Sequence, residues 1–458
     1  MASLTCDIGA FIASYDGNAL PAECREAARI GMTDCVAVTI GGADEQAVRI
    51  AADLVGTTAA GGVPEIPSGR PLTPLDAALV NGVAAHVLDY DDVVLDGHTS
   101  AVLTPAILAE GWALDSSGAE AVEAYAIGYE VWARLVELEP GHMHDRGFHP
   151  TALWGTLAAA AACARLNGLD ATQSAHAVAI AASMASGLVA NFGTMTKSLH
   201  AGRAAQAGVM AARLAANGFT GSPDAIEHPV GLLRAHSPSG EPRLDFGDDA
   251  LGGRWRLAEH GVNVKQYPIC YATHRSIDAM LDLVRDHGLT PNDVAEIHVR
   301  IGRTQRLMLR NRSPKTGLEA KFSIEFAMAS ALVAGQVGLR QLTDDFVRRD
   351  DVVQAMTKVV TTTTDECMPD MPFAPADEVS VVLGSGQTLQ HEPVALAKGS
   401  WGKRLSRDEL RAKFIDCVGD RLGSGETADR LFGDLMDLDR VTSLRSLDLT
   451  NRHAAAKH

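Results

Sequence analysis

"HPTALWGTLAAAAACARLNGL", residues 149–169, is the stretch that decides the fold class. Pro150 suits the first position of a helix, and the residues after it are nearly all small and apolar. A helix with no polar face is buried on every side, so other helices must surround it. The neighbouring sequence supplies them. "ALPAECREAARIGMTDCVAVTIGG" (19–42) has helical spacing and stops at Gly41-Gly42. "TPLDAALVNGVAAHVLDYDD" (73–92) opens with Thr73 as N-cap, Pro74 in the first helical position and Asp76 in the first turn. "SGAEAVEAYAIGYEVWARLVEL" (117–138) has a clear apolar face, and "TKSLHAGRAAQAGVMAARLAANGF" (196–219) runs to an Asn217-Gly218 stop. Residues 1–260 therefore read mostly as helices.

The pattern then changes. "VAEIHVRIG" (294–302) alternates Ile297, Val299 and Ile301 with His298 and Arg300, which is strand periodicity. "KVVTTTT" (358–364) is β-branched, and "EVSVVLGSGQTLQHEP" (378–393) alternates around a glycine-rich hairpin turn. Helical patterns at 272–287, 321–336 and 342–356 separate these strands, so residues 263–395 read as a smaller α+β domain. Beyond it the helical pattern returns, with a capping box at Ser406 and Glu409.

A chain of 458 residues exceeds one ordinary core. Its composition, 46% hydrophobic and 21% charged, is that of a globular protein. A net charge of −17 argues against a nucleic-acid partner, while leaving room for a local cationic pocket that takes a small anion. Seven scattered cysteines without a CxxC suggest a reducing, cytoplasmic setting. The first residues carry no basic n-region, so no secretory signal is expected. The uncharged run 177–196 is long enough to span a bilayer, but its Ala, Ser, Gly, Asn and Thr content favours a buried helix followed by a loop, with no membrane partner. Walker, Rossmann, HExxH and GxSxG patterns are absent. "HMHDRGFH" (142–149) offers His142, His144, Asp145 and His149 to a metal, but no matching ligand cluster stands at fixed spacing, so the expectation is no metal and no cofactor.

Four segments concentrate chemistry. "LDYDDVVLDGHTS" (88–100) packs Asp89, Asp91, Asp92, Asp96 and His98 after a buried helical run. A solvated acidic loop and an acid/base site explain it about equally. His86, Asp89 and Tyr90 at i, i+3 and i+4 can share one helix face. His149 precedes a helix N-terminus, where the dipole favours a neutral imidazole and a bound anion. Lys197, His200 and Arg203, at i, i+3 and i+6 from a small-residue helix start, suggest a carboxylate site. Lys265, Tyr267 and Cys270 lie where the chain crosses into the smaller domain.

These segments, in this order, resemble the MmgE/PrpD family. The matching pieces are "HVLDYDDVVLDGHTSAVLTPAILA", "GFHPTALWGTLAAAAACARLNGL", "GTMTKSLHAGRAAQAG", "KQYPICYATHRSIDA", "EAKFSIEFAMASALV" and "KGSWGKRLSRDELRAKFIDC". The resemblance implies a mainly α protein. Residues 1–262 and 396–458 would make a large all-helical domain, with residues 263–395 as an inserted α+β lid domain. It also implies a homodimer without metal or organic cofactor. By the family's motifs, Asp89, Asp92, His98, His149 and Lys197 are expected in the catalytic pocket. Lys265 is expected to bind substrate there, and Arg203, His200, Tyr267 and Cys270 join it from their position. Val93 and Thr99 depart from the usual Thr and Pro. Cys270 and Phe326 stand where decarboxylases of the family have His and Tyr.

The residues suit proton transfer beside a carboxylate. Lys197 and Lys265, with Arg203, would hold substrate carboxylates. His98 or His149 would move the proton on carbon while the other serves the leaving group, and Asp89 or Asp92 would orient an imidazole. The expected activity is a hydro-lyase acting on a small di- or tricarboxylate. An epimerase or decarboxylase of a related acid is the alternative within enzymes, and a non-catalytic metabolite-binding dimer the alternative outside them.

Overall fold

The computed structural model describes residues 3–58, 61–368 and 373–451. The chain divides into two compact units, one of Met1–Val262 with Ser406–His458 and one of Asn263–Leu405. The first is built on the alanine helix, Pro150–Leu166, in which every residue from Pro150 to Ala164 is buried. Against it pack the helices Thr99–Leu114, Gly118–Glu137, Ala171–Ala182 and Met195–Ala216. The helices Ala22–Gly42 and Pro74–Val87 extend this bundle, and Arg407–Val418 returns from the far end of the chain to pack on Ala22–Gly42.

Local sequence sets the ends of these helices. The Thr73 hydroxyl accepts from the Asp76 N–H at 3.1 Å, ahead of Pro74. Ser117 with Glu120, Asp170 with Gln173 and Ser406 with Glu409 form reciprocal capping boxes. Small residues set the spacing between helices. A Cβ on Gly82 would lie 2.7 Å from the Gly202 Cα, and one on Gly202 would lie 2.4 Å from the Leu79 carbonyl oxygen. The helices Pro74–Val87 and Met195–Ala216 therefore touch backbone to backbone, which brings the end of one beside the start of the other.

One part of the helical reading changes. Residues 219–255 hold only the short helix Leu232–His236 among turns and loops, because Pro and Gly recur through "SPSGEPRLDFGDDALGG". The uncharged run from Ala177 is, as expected, a helix as far as Ala182 and then a loop with a short 3₁₀ turn, Val189–Asn191. No described helix is long and apolar enough to cross a membrane.

The second unit has a four-stranded sheet centred on Val294–Gly302, with Ile297, Val299 and Ile301 turned into its core. This strand runs parallel to Val359–Thr364 on one side and antiparallel to Glu378–Leu383 on the other. Thr388–Gln390 completes the hairpin, with Gly386 at φ +85° in its turn. The helices His274–His287, Ile324–Ala334 and Asp350–Thr357 contribute to its core. The helix expected over 342–356 is two pieces, Asp344–Val347 and Asp350–Thr357. All seven cysteines are free thiols.

Candidate active site

The acidic segment is a strained loop between two helices. Pro74–Val87 ends just after His86, and Asp89 takes a left-handed backbone, φ +54°. Leu95 (φ +49°) and Asp96 (φ +65°) do the same before His98 leads into Thr99–Leu114. Such a conformation costs about 1–2 kcal/mol for a residue with a Cβ, least for Asp, so surrounding contacts must hold the loop. Several do. The Trp132 indole N–H donates to the Leu95 carbonyl at 3.2 Å, and the His98 N–H donates to the Thr151 hydroxyl at 3.2 Å. Lys413, from the returning C-terminal helix, donates to the Tyr90 carbonyl at 2.8 Å. Its ammonium sits 4.0 Å from the centre of the Tyr90 ring and 2.6 Å from buried Asp34.

Because the helix stops at Val87, His86, Asp89 and Tyr90 do not share a helix face. The left-handed turn sends the aspartates in different directions. Asp89 takes the Lys197 ammonium at 2.5 Å, with both groups buried. The Asp92 carboxylate accepts from the Thr99 hydroxyl at 3.1 Å and the Ser100 N–H at 3.2 Å, fastening the loop to the next helix. Burial, then the charges of Asp91 and Asp34, push Asp92 up to about 7. The carboxylate shared by the His86 and His98 imidazoles is Asp91. Its Oδ2 lies 2.8 Å from His98 Nδ1 and 3.0 Å from His86 Nδ1. Burial alone would raise the Asp91 carboxyl, but the two imidazoles outweigh it and hold the group well below the usual range.

His98 Nδ1 also lies 2.9 Å from the Asp92 carbonyl. With only acceptors beside it, that nitrogen carries the proton, and a neutral His98 is left with an unprotonated Nε2. His149 sits at the head of the alanine helix, its N–H donating to the Gly187 carbonyl at 3.1 Å. The ring stacks 5.9 Å from His86 and meets the Phe192 ring edge-on at 4.8 Å. Its Nδ1 is 3.0 Å from His200 Nδ1, so one of the two donates and the other accepts. Burial, then the charges of His86, Lys197, His98 and His200, keep His149 well below its ordinary value. His200 is lowered by burial and by Lys197.

Arg203 does not join this group. It is exposed and pairs with Gln206 on its own helix. Six residues turn a helix by about 600°, which leaves Arg203 about a third of a turn away from Lys197. The histidine run also divides. His142 and His144 approach Asp96 at 3.2 and 3.6 Å, while His149 turns to His200. Instead, His86, Asp91 and His98 are three buried residues whose donor atoms lie within 4.8 Å of one another, a spacing open to a cation as well as to hydrogen bonds. The sequence reading did not see this set, because Asp91 was one aspartate among four and His86 read as part of a continuing helix.

Lys265, Tyr267 and Cys270 belong to the second unit. Lys265 is buried there. The Tyr267 hydroxyl donates to Asp278 at 2.7 Å, and burial with that carboxylate keeps the phenol protonated. The Cys270 N–H donates to the Lys321 carbonyl at 2.9 Å, and its own carbonyl accepts from the Thr273 hydroxyl at 2.8 Å. Phe326 is fully buried, with its ring against Phe346.

Residues 6–245 match the MmgE/PrpD N-terminal domain and residues 267–437 the MmgE/PrpD C-terminal domain. The chain belongs to the MmgE/PrpD family. Among MmgE/PrpD relatives, it is 31% identical to the cis-aconitate decarboxylase of Homo sapiens over 394 residues, 82% of this chain and 79% of that one. It is 32% identical to the cis-aconitate decarboxylase of Mus musculus over 369 residues, 76% of this chain and 72% of that one. The cis-aconitate decarboxylase of Aspergillus terreus is 23% identical over 406 residues, 83% of this chain and 81% of that one. In this MmgE/PrpD protein the acidic loop, His98, His149 and Lys197 all lie within the stretch matched by the N-terminal domain.

Proposed function

We propose that the protein is a lyase acting on a small polycarboxylate, and that it moves a proton at a carbon beside a carboxylate. One observation carries this reading: the buried Asp91 carboxylate on His98 Nδ1, which leaves Nε2 as a base. His98 takes the proton from carbon. The electron pair becomes an enolate-like system, and the charge that develops is offset by the Lys197 ammonium, whose direction Asp89 fixes. His149 works as a neutral acid. With its Nδ1 accepting from His200, its Nε2–H protonates the leaving hydroxyl, the carbon–oxygen bond breaks and water departs; the imidazolate left on His149, near the Lys197 charge, regains a proton from solvent as His98 releases the one it took. Each of these steps falls to a side chain of the protein itself, so the reading needs no metal or cofactor. The homodimer implied by the family resemblance is part of the same proposal, and light scattering checks it.

The names of the relatives support the substrate class, since all three are cis-aconitate decarboxylases. They also favour a second reading in which carbon dioxide leaves and the resulting carbanion is protonated. Dehydration is placed first because it uses both histidines, and because Phe326 and Cys270 stand where the decarboxylase pattern has Tyr and His. Phe326, buried against Phe346, offers no hydroxyl.

Proton NMR in deuterated water decides, with citrate, 2-methylcitrate, cis-aconitate and malate as substrates. An alkene signal gained from a hydroxy acid establishes the hydro-lyase. Itaconate and carbon dioxide from cis-aconitate establish the decarboxylase instead. Deuterium entering a saturated carbon with no alkene signal marks an epimerase. Thermal stabilisation by these acids without turnover would leave a metabolite-binding protein.

A further inference from the structure

His86 lies beneath the site without reaching its surface. Its side chain is fully buried, with its ring edge-on to His98 at 4.4 Å between centroids and stacked 5.9 Å from His149. It has no route to a substrate, yet it approaches the carboxylate that serves His98. Its Nδ1 is 3.1 Å from Asp91 Oδ1 and 3.0 Å from Oδ2, so one N–H straddles both oxygens. His98 uses Oδ2 alone, at 2.8 Å.

We propose that His86 is a positioning residue: its Nδ1–H, shared between the two Asp91 oxygens, fixes the carboxylate so that Oδ2 faces His98 Nδ1 and the His98 base lone pair stays on Nε2. A carboxylate bound to a single imidazole can rotate about its Cβ–Cγ bond and lose that alignment. A donor on the bisector of the two oxygens removes the freedom. The alternative tautomer of His98 would set a bare Nδ1 against both Asp91 and the Asp92 carbonyl, three acceptors with no hydrogen between them. Burial, against the pull of Asp91, lowers His86 to about 4. It therefore stays neutral, with its one proton on Nδ1, and adds no charge that would cancel the Asp91 carboxylate. The role of His98 as the base rests on the proposed lyase reading, but the tautomers do not.

The test separates the two. Protein labelled with ¹⁵N-histidine is examined by two-bond ¹H–¹⁵N spectroscopy near neutral pH, with His86→Asn and His98→Gln assigning the signals. Both His86 and His98 are expected as Nδ1–H tautomers. Finding Nε2–H on either one overturns the proposal without any assay. His86→Phe keeps a ring but has no donor. It should mix the His98 tautomers and lower kcat by about 10- to 100-fold, the range for residues that orient a functional group, with KM nearly unchanged. His86→Asn places an amide N–H near the position of Nδ1 and should restore the single tautomer and most of kcat. Should His86→Phe fail to fold, the wild-type tautomers and the His86→Asn kinetics still decide. An unchanged His98 tautomer in a folded His86→Phe overturns the proposal. So does one equivalent of a divalent metal in the wild type that is lost in His86→Asn, since Nδ1 would then be a ligand. The expected tautomers with no turnover on any acid would support the positioning role and sink the lyase reading.

Discussion

In the proposed mechanism the chemistry turns on Asp91, and the test is a one-atom change. Asp91→Asn keeps the size but offers one acceptor where two imidazole N–H groups now point. One histidine must flip its tautomer or face an amide N–H. Turnover is expected to fall by about 10²- to 10⁴-fold, with the protein still folded by circular dichroism. His149→Gln should fall within the same range, because Gln cannot pass a proton to a leaving group. An active His149→Gln would remove that residue from the mechanism. The place of the candidate site was legible in the sequence. Four aspartates and a histidine after a buried helix are an anomaly of composition, and Lys197 at a small-residue helix start is another. Which aspartate meets which partner was not legible. The spacing of His86, Asp89 and Tyr90 assumes a helix that continues, whereas Asp89 leaves it through a left-handed turn. Arg203 lies about a third of a turn from Lys197 around the helix Met195–Ala216, an angle that a spacing of six residues does not display.

The loop and the helices around it respond to pH and to packing. The folded chain holds a proton on Asp92 up to about pH 7, while an unfolded carboxyl releases it near 4. The stability that this proton contributes is full below pH about 4 and is lost as pH rises through 7. Asp92→Asn mimics the protonated form, with Oδ1 accepting from Ser100 and the amide N–H facing Thr99. Its Tm should therefore gain on the wild type from pH 4 to pH 7 and level off above. The scale is about 1.4 kcal/mol for each tenfold change in proton affinity. His86 runs the other way. Its folded value of about 4 makes its contribution grow as pH rises from 4 towards 6.5, and comparison with the wild type cancels it. A constant Tm difference across the range would remove Asp92 as the titrating group. The pair of helices behind the loop has no room to spare. Gly202→Ala puts a carbon 2.4 Å from the Leu79 carbonyl, so the helices must part. A loss of about 1–3 kcal/mol in urea is expected, together with weaker turnover, because the same contact sets Lys197 beside Asp89. The alanine helix and the alternating strand were easily read because their periods follow directly from burial. Close backbone contact leaves no periodic trace, so the partners of Gly82 and Gly202 had to be seen.

At the scale of the molecule, the helical unit is made of two stretches of chain, and Lys413 fastens one to the other. Lys413→Met would leave Asp34 as a buried carboxylate without this cation, and the Tyr90 carbonyl without this donor. The expected cost is about 3–5 kcal/mol in denaturant melts, with the acidic loop losing amide protection before the rest of the unit. Uniform loss of protection would show that Lys413 serves the core rather than the loop.

The distance along the chain between Lys413 and the loop it fastens has a consequence for biogenesis. Tyr90 and Lys413 are 323 positions apart. At about 5–20 residues per second, a ribosome that has made the loop still needs tens of seconds to make its clamp. During that interval Trp132 and Thr151 already brace the loop, but the Tyr90 carbonyl and Asp34 lack the ammonium that holds them. The acidic loop is thus not fully clamped until late in synthesis. A chaperone acting on this nascent chain would find its binding window there, closing only when the helix holding Lys413 clears the exit tunnel.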